Sequence, residues 1–196
     1  MNVSAFEIPL FPLDTVLFPG GELPLQIFEP RYLDMVRECT RSETSFGVCL
    51  ILRHDGEEQA RHAVIGTSAR INDWYTQDNG LLGILTRGTR RFRISATSTR
   101  DNGLLMGRVE ALRMEEPVEL PLEFSVLATI VARYMEQAHE QFPDFKPAQL
   151  ENAVFVAYRL AELLPISSQE KQSLLEMDDV MERLAMLQRV LPRFQQ

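Results

Sequence analysis

The sequence predicts an α+β protein, with a β-rich, barrel-like part at residues 1–117 and an α-helical part at residues 118–196. Up to Pro117, short runs of β-forming residues alternate with turn signals. After Pro117, apolar residues recur at helical spacing and glycine disappears, since Gly107 is the last in the chain. Evenly spaced short strands with one early helix are typical of a small barrel, and a helical bundle is expected to follow it.

Composition restricts the class of protein. The 196 residues carry 28 Asp or Glu against 20 Lys or Arg, a formal net charge of −8 that does not attract nucleic acid or an acidic membrane surface. No uncharged run approaches the ~18 residues of a membrane-spanning helix. Cys39 and Cys49 form neither a disulfide framework nor a metal-ligand spacing, so both are predicted to be buried thiols in a reducing compartment. We therefore expect a cytoplasmic protein with no membrane partner.

Prolines in the apolar opening segment mark where the predicted turns, strands and helix lie. Pro19-Gly20-Gly21 supplies a turn, because glycine tolerates positive φ angles. Pro24 lies inside the next predicted strand and favours an edge position or a bulge, since it cannot donate to a β-ladder. Pro30 suits the first turn of a helix, where its missing N–H costs nothing. The predicted elements are extended pieces at 6–9 and 14–18, a strand at 22–28 and a helix at 30–40.

The middle of the chain carries the clearest hairpin signals. Asp78-Asn79-Gly80 and Asp101-Asn102-Gly103 both contain Asn-Gly, a pair that accepts the positive φ angles of tight primed turns. A further turn is predicted at Gly88. The predicted strands cover residues 46–52, 63–75, 81–86, 91–97 and 104–114.

Helical spacing organises the remainder of the chain. Ser167-x-x-Glu170 is a capping box that predicts a helix start, and Asp179 is the predicted first residue of the last helix. Pro165 ends the helix before the capping box. The longer predicted helices cover residues 122–141 and 148–164.

No motif of the chain indicates catalysis or a cofactor. Ser168 and Lys171 match S-x-x-K, but the companion motifs of penicillin-recognising enzymes are absent, and helix capping explains the same residues. Neither a P-loop nor a dinucleotide-binding glycine motif occurs. His54 and His62 flank an acidic loop, but their spacing matches no metal-ligand signature. The sequence therefore predicts a protein that is not an enzyme and holds no metal and no cofactor.

A cluster of arginines offers an alternative function. Residues 81–113 hold seven Arg against two acidic residues, and a basic run with an interleaved aromatic is typical of RNA-binding surfaces. Strand alternation gives another interpretation, in which Phe92 and Ile94 point inward and the arginines beside them face solvent. The acidic remainder of the chain weakens any attraction for phosphate. The residues of this alternative RNA site are Arg87, Arg90, Arg91 and Arg93.

Several sequence blocks in order resemble a known family. The blocks are Pro9-Leu10-Phe11-Pro12-Leu13, Val16-Leu17-Phe18-Pro19-Gly20, Leu23-Pro24-Leu25, Ile27-Phe28-Glu29-Pro30-Arg31-Tyr32, Gly47-Val48, Ile65-Gly66-Thr67, Arg91-Phe92-Arg93-Ile94, Leu163-Leu164-Pro165 and Lys171-Gln172. In this order they resemble the N-terminal, substrate-binding domain of the Lon ATP-dependent protease family. The resemblance spans essentially the whole chain and extends to the Lon-like domain of cereblon-type ligase adaptors.

The resemblance implies a fold and a function. The fold would be a PUA-like β pseudobarrel followed by a helical subdomain, and the function would be contact with unfolded or damaged substrates. A full protease of this family continues into an AAA+ module and a Ser–Lys peptidase domain. No residues of this sequence correspond to either of these domains, so we expect a standalone recognition module without peptidase chemistry.

We therefore predict a protein-binding module that recognises apolar or unfolded polypeptide segments at a sheet edge near Pro24. Its partners would be such segments, a partner protein or a separate protease, with nucleic acid disfavoured. The sequence indicates no particular oligomeric state. The residues predicted to line or support the groove are Phe18, Leu23, Leu25, Phe28 and Tyr32.

Overall fold

The computed structural model describes residues 5–52, 61–138, 142 and 145–194, and it divides into two compact units, residues 1–114 and 115–196. The first unit is β-rich with one helix and the second is helical, so the predicted α+β class is confirmed. Our boundary between residues 117 and 118 falls slightly later in the chain and remains a prediction.

The first unit begins with two strands and a helix: β1, Phe6–Leu13; β2, Glu22–Ile27; and α1, Pro30–Ser42. Pro30 occupies the first turn of α1, as predicted. The remaining strands are β3, Phe46–Leu52; β4, Arg61–His62; β5, Ile65–Thr76; β6, Leu82–Thr99; and β7, Leu105–Ala111.

Five of these strands form a closed ring. The neighbouring pairs β1–β7, β7–β6, β6–β5 and β5–β3 are antiparallel, and β3 pairs with β1 in parallel to close the ring. β1 makes both of its pairings by dividing its length, with Phe6–Pro9 against β7 and Leu10–Leu13 against β3. Closure removes the free backbone edges that an open sheet exposes. This ring is the predicted pseudobarrel.

Apolar side chains and glycines fill the inside of the ring. Phe92 is one of these side chains, and its aromatic ring occupies the space above Gly47, where an added Cβ would lie 2.6 Å from Phe92 Cζ. Glycine is needed there because the aromatic ring approaches the backbone so closely. The buried interior residues are Ile8, Leu10, Cys49, Phe92, Ile94 and Val109.

A second core lies on the other side of the same strands, where α1 packs. The helix buries Tyr32, Met35, Val36 and Cys39, which form one stripe at helical spacing. Their strand partners include Phe11, Phe46, Ala69, Ile84 and Leu104. Two apolar layers on opposite faces therefore account for the nearly continuous burial along β3.

The predicted turn at Gly88 is wrong, because β6 runs through that position without interruption. Gly88 N donates to Gly21 O and Gly20 N donates to Gly88 O, each at 2.8 Å. A Cβ on Gly88 would lie 2.2 Å from Phe18 O. Glycine is present because the Pro19-Gly20 turn packs directly on the strand, a contact that no local pattern reveals.

The two Asn-Gly hairpins form where predicted, but their turns are not of the primed type. In the first, Gly80 N donates to Gln77 O and Gln77 N donates to Leu81 O, and residues 100–104 repeat this pattern. Gly80 and Gly103 have φ of 79° and 81°, whereas neither preceding asparagine has a positive φ. Each asparagine instead accepts a hydrogen bond from the backbone N–H two residues later. These are three-residue loops closed by a left-handed glycine.

The extended piece predicted at 14–18 is also not a strand. β1 continues through Pro9 and Pro12 to Leu13, and the following residues form bends and irregular backbone. The prolines are tolerated because β1 changes its pairing partner after Pro9, so neither neighbour needs every N–H of the strand.

The second unit consists of four α-helices in the described residues: α2, Ser125–Gln137; α3, Ala153–Leu163; α4, Ser168–Glu176; and α5, Val180–Val190. Short 3-10 turns precede α2 and α3, so both helices begin later than predicted. Asn152 caps α3 by accepting a hydrogen bond from Val154 N, a start signal that our prediction missed. The capping box of Ser167 with Glu170 and the Asp179 cap are confirmed.

Helix α3 is central in this unit. It packs against α2, α4 and α5, and it buries residues around most of its circumference. A helix that is apolar on nearly all sides belongs in a core position. No helix in the described part of the chain is long and apolar enough to cross a membrane.

Candidate functional site

A three-stranded ribbon extends from the closed ring. The first part of β6 pairs with β2 on one side and with the last part of β5 on the other. We use the name ribbon for β2 together with residues 82–87 of β6 and 70–76 of β5. Among the described residues, β2 pairs with β6 alone, and β5 pairs with β3 only as far as Ala69. The ribbon therefore has two open edges, and Pro24 lies on one of them, as predicted.

The inner side of the ribbon belongs to the α1 core. Ile27 and Ile84 are buried there, while Leu23 and Leu25 are partly buried and pack on the same cluster. Side chains alternate along a strand, so the positions between these residues point to the opposite side. The register places three rows on that side: Glu22, Arg87 and Arg70; Pro24, Leu85 and Asp73; Gln26, Gly83 and Tyr75. We call this side of the ribbon the outer face.

Tyr75 provides a flat apolar surface on the outer face. Its ring lies over Gly83, where an added Cβ would be 2.5 Å from two ring carbons. The side chain is nevertheless 44% exposed, so one side of the ring faces solvent. Leu85 and Pro24 continue this apolar surface along the ribbon.

Exposed aromatic side chains collect at the end of the ribbon away from the ring. Phe28, directly after β2, is 65% exposed, Trp74 is 62% exposed and Tyr75 is 44% exposed. Tyr75 pairs with Gly83 and Trp74 with Ile84, and Phe28 follows the Ile27–Leu82 pair. Large aromatic groups at this exposure are characteristic of binding surfaces, because single-chain cores normally bury them.

The five residues predicted for the groove take different positions. Phe28 alone is exposed. Leu23 and Leu25 lie on the inner side, and Phe18 is fully buried. Tyr32 is also buried, with its ring stacked on Phe11 at a centroid distance of 3.9 Å and Arg31 above it at 4.7 Å. Phe18 and Tyr32 therefore lie inside the protein and form no part of its exposed surface.

Trp74 and Tyr75 were missed by the sequence reasoning. Simple alternation through a predicted strand ending at Tyr75 gave no reason to separate them from ordinary sheet residues. The register of β5 against β6 shifts between Ile71 and Asp73, because one extra residue forms a β-bulge. The bulge shifts the register of the strand end, so that Tyr75 lies opposite Gly83 on the outer face and Trp74 lies opposite Ile84. The signal that could have found them is the unusual Trp-Tyr pair beside a hairpin turn.

The arginines of the RNA alternative do not form one basic face. Arg91 is only 4% exposed, which corrects the expectation that it faces solvent. Arg90 Nε donates to Leu112 O at 2.8 Å, and Arg93 lies opposite Glu110 in the β6–β7 register. A bulge between β5 and β6 changes the alternation, so Arg87 lies on the outer face while Arg91 lies on the opposite side.

The lysine and the two thiols that could carry chemistry are hydrogen-bonded or buried in the structure. Lys171 Nζ donates to Glu162 O at 2.8 Å near the end of α3, and burial lowers the pKa of this lysine. Burial raises the pKa of the Cys49 thiol to about 12 and also raises the pKa of Cys39. Within 5–52, 61–138 and 145–194, no three His, Cys, Asp or Glu side chains assemble as metal ligands. The acidic loop around His54 lies outside the described residues.

The closed ring, its helix and the following helical unit together have the fold of Lon N-terminal domains. A Lon N-terminal domain protein from Xanthomonas campestris is 42% identical, with a TM-score of 0.79 over 94% of this chain and 98% of its own. The N-terminal domain of the Mycobacterium avium complex Lon protease, at 20% identity, has the same fold with a TM-score of 0.66 over 96% of this chain and all of that domain.

Sequence comparison identifies the family. The pattern of the ATP-dependent protease La (LON) substrate-binding domain matches residues 7–193, so the chain belongs to this family. Lon protease of Cytophaga hutchinsonii is 25% identical over 195 residues, which cover 95% of this chain and 24% of the protease. Chicken (Gallus gallus) cereblon is 28% identical over 156 residues, covering 78% of this chain and 33% of cereblon. The chain thus spans about a quarter of the length of the Lon proteases it matches.

Proposed function

We propose that the chain is a non-catalytic module that binds apolar segments of unfolded polypeptides on the ribbon. The observation that carries this proposal is the set of exposed aromatics, Phe28, Trp74 and Tyr75, at the end of a ribbon with open edges. The substrate-binding description of the family supports it. Binding apolar side chains would remove these aromatic surfaces from water.

Two kinds of contact would hold a segment on the ribbon. Its apolar side chains would cover Phe28 and Tyr75, each well-buried anchor contributing about 1.5–3 kcal/mol. Its backbone could extend the sheet, because in the described part of the chain residues 70–76 of β5 and the far edge of β2 each lack a strand partner on one side. After the cost of association, two or three anchors give affinities around the micromolar range.

The five predicted groove residues then divide by role. Phe28 would contact the segment, and Leu23 and Leu25 would fix β2 to the α1 core. Phe18 and Tyr32 would support the backbone beneath it. Partners in the cell would be unfolded segments, a partner protein or a separate protease, and a cytoplasmic location is part of this proposal.

Trp74 allows a direct test, because it is the only tryptophan in the chain and is exposed on β5 at an edge of the ribbon, where an added segment would lie. We expect its emission to shift to shorter wavelength when a reduced, alkylated and therefore permanently unfolded protein is titrated in. The native form of the same protein should leave the emission unchanged. Phe28→Ser and Tyr75→Ser should each weaken binding about tenfold, the loss of one buried anchor.

Leu122→Ser is the matched control, because Leu122 is 90% exposed and lies in the helical unit. This variant removes an exposed apolar side chain and leaves every residue of the ribbon unchanged, so its affinity should equal that of the wild type. Equal affinities for Phe28→Ser, Tyr75→Ser and the wild type would refute the ribbon as the binding surface.

A further inference from the structure

Two arginines face each other on the outer face of the ribbon. Arg70 of β5 and Arg87 of β6 are direct partners in the antiparallel register, and both side chains are exposed. Like charges placed directly opposite each other destabilise a sheet. The described residues supply neither guanidinium with an ion pair or a hydrogen bond, although the chain has 28 acidic residues against 20 basic ones. An anionic partner from outside the chain would relieve this repulsion.

The neighbouring carboxylates do not neutralise the pair. Glu22 lies opposite Arg87 on the β2 side of the same row but forms no ion pair with it. Asp73 belongs to the next row, and its Oδ1 accepts a hydrogen bond from Trp74 N at 2.8 Å. The row of Glu22, Arg87 and Arg70 keeps one surplus positive charge, which lies toward β5 and which one carboxylate would match.

We propose that the outer face selects polypeptide segments in which an Asp or Glu lies four residues from an apolar anchor. This inference rests on the proposed function and specifies the chemistry of its substrate. The anchor would cover Tyr75 above Gly83, and the carboxylate would bind between Arg70 and Arg87. Guanidinium groups suit this role because each can donate two parallel hydrogen bonds to a carboxylate.

The spacing follows from the geometry of the strand. Gly83 and Arg87 are four residues apart on β6, roughly 13 Å at the usual rise of a strand. An extended segment lying along β6 has the same rise, and an even spacing keeps both of its side chains on one side. A spacing of three would turn the carboxylate away from the arginines.

Labelled nonapeptides with one phenylalanine and one variable position test this inference by fluorescence anisotropy. The variable position carries Glu, Gln or Lys, four or three residues from the phenylalanine, in both chain directions. In at least one direction, the peptide with Glu at four residues should bind the wild type roughly three- to tenfold more tightly than its Gln counterpart. The preference should shrink at high salt and vanish at a spacing of three.

Substitutions of Arg70 and Arg87 test whether these two residues cause the preference for the Glu peptide. Arg70→Gln/Arg87→Gln should bind Glu and Gln peptides equally, with affinity for the Gln peptide unchanged. Arg70→Glu/Arg87→Glu should prefer Lys at the same position. Arg108→Gln removes an exposed arginine from β7 and should retain the wild-type preference. Because both ribbon arginines are exposed and repel each other, their replacement should not lower the midpoint of urea unfolding.

The outcomes separate this inference from the proposed function. If Glu and Gln peptides bind equally while Phe28→Ser weakens both, selection by the arginine pair is wrong and the apolar binding surface stands. If a marked loss of stability accompanies Arg70→Gln/Arg87→Gln, the pair is structural and the inference is likewise overturned. If no peptide binds at all, both proposals fail together.

Discussion

Arg183 and Glu115 form a two-pronged ion pair at the centre of the helical unit, with Nη1–Oε2 and Nη2–Oε1 distances of 2.8 and 2.9 Å. Arg183 is fully buried, its Nε donates to Leu174 O at 2.9 Å, and its guanidinium also donates to Met177 O. The Tyr158 ring lies 4.4 Å from the guanidinium carbon and its hydroxyl donates to Glu115. One buried cation thus joins the segment that precedes α2 to helices α3, α4 and α5.

Removing the carboxylate from this cluster should destabilise the helical unit strongly. Glu115→Ala leaves the Arg183 guanidinium buried without its counter-charge, and breaking a buried pair in this way costs about 3–5 kcal/mol. Urea unfolding followed by circular dichroism measures the change. Glu116→Ala, at the exposed neighbouring position, should have little effect. Similar stabilities for the two variants would show that the ion pair does not stabilise the fold.

Glu170 should make stability depend on pH in acid. Hydrogen bonds from Arg193 and from the Ser167 backbone and hydroxyl lower the pKa of its carboxyl from 4.5 to about 2. In the unfolded chain the same carboxyl titrates near 4.5, so between these values the unfolded state binds more protons. Its stabilising contribution is therefore complete above pH 4.5 and is lost as the pH falls toward 2.

The Arg193→Gln variant tests the cause of this shift. The pKa of Glu170, followed by NMR titration of its side-chain carboxyl, should move upward toward 4.5, because Arg193 makes the largest contribution. Arg189→Gln changes an arginine whose Nε bonds only a backbone carbonyl and should leave that pKa in place. An unchanged titration in Arg193→Gln would contradict the assignment.

The two thiols should be inert in the folded protein. Both cysteines are buried, and burial disfavours the reactive thiolate, with the pKa of Cys49 raised to about 12. We expect a thiol reagent at pH 8 to modify neither cysteine in the native state and both in urea. Rapid modification of Cys49 in the native protein would mean that the ring opens readily, and rapid modification of Cys39 would mean that α1 separates from its core.

The glycine beneath Phe92 should be sensitive to a single added methyl group. Gly47→Ala places a Cβ within 3 Å of Phe92, Leu10 and Ile8, and overpacking of this kind costs about 1–3 kcal/mol. Phe92→Leu in the same chain removes the nearest ring atom and should recover part of the loss. Additive effects of the two substitutions, measured by urea unfolding, would exclude direct contact between them.

Local sequence patterns correctly predicted the elements that depend only on residues close to one another in the chain. β3 was predicted with its observed bounds, and the Ser167 capping box was found because its donor and acceptor groups lie within four residues. Gly88 and Arg91 were misjudged because their environments depend on distant parts of the chain. A turn packs on Gly88, and a bulge reverses the side to which Arg91 points.

The candidate site was predicted in part for the same reason. Pro24 correctly indicated an edge strand, since the missing donor is a property of that residue. The positions of Trp74 and Tyr75 opposite β6 depend on the bulge in β5, which no local pattern reveals. Apolar residues near Pro24 were predicted as a groove, but a hydrophobic side chain gives no local signal of which side of the sheet it takes.

The parallel pairing of β1 with β3 and its antiparallel pairing with β7 have a consequence for synthesis on the ribosome. Phe6 leaves the exit tunnel long before its partner Val109, which is among the last residues of the β-rich unit to be made. β1 therefore remains without its β7 partner, and Ile8 and Leu10 stay exposed, while most of the unit is translated. During this interval the nascent polypeptide exposes apolar side chains, as the unfolded clients of chaperones do.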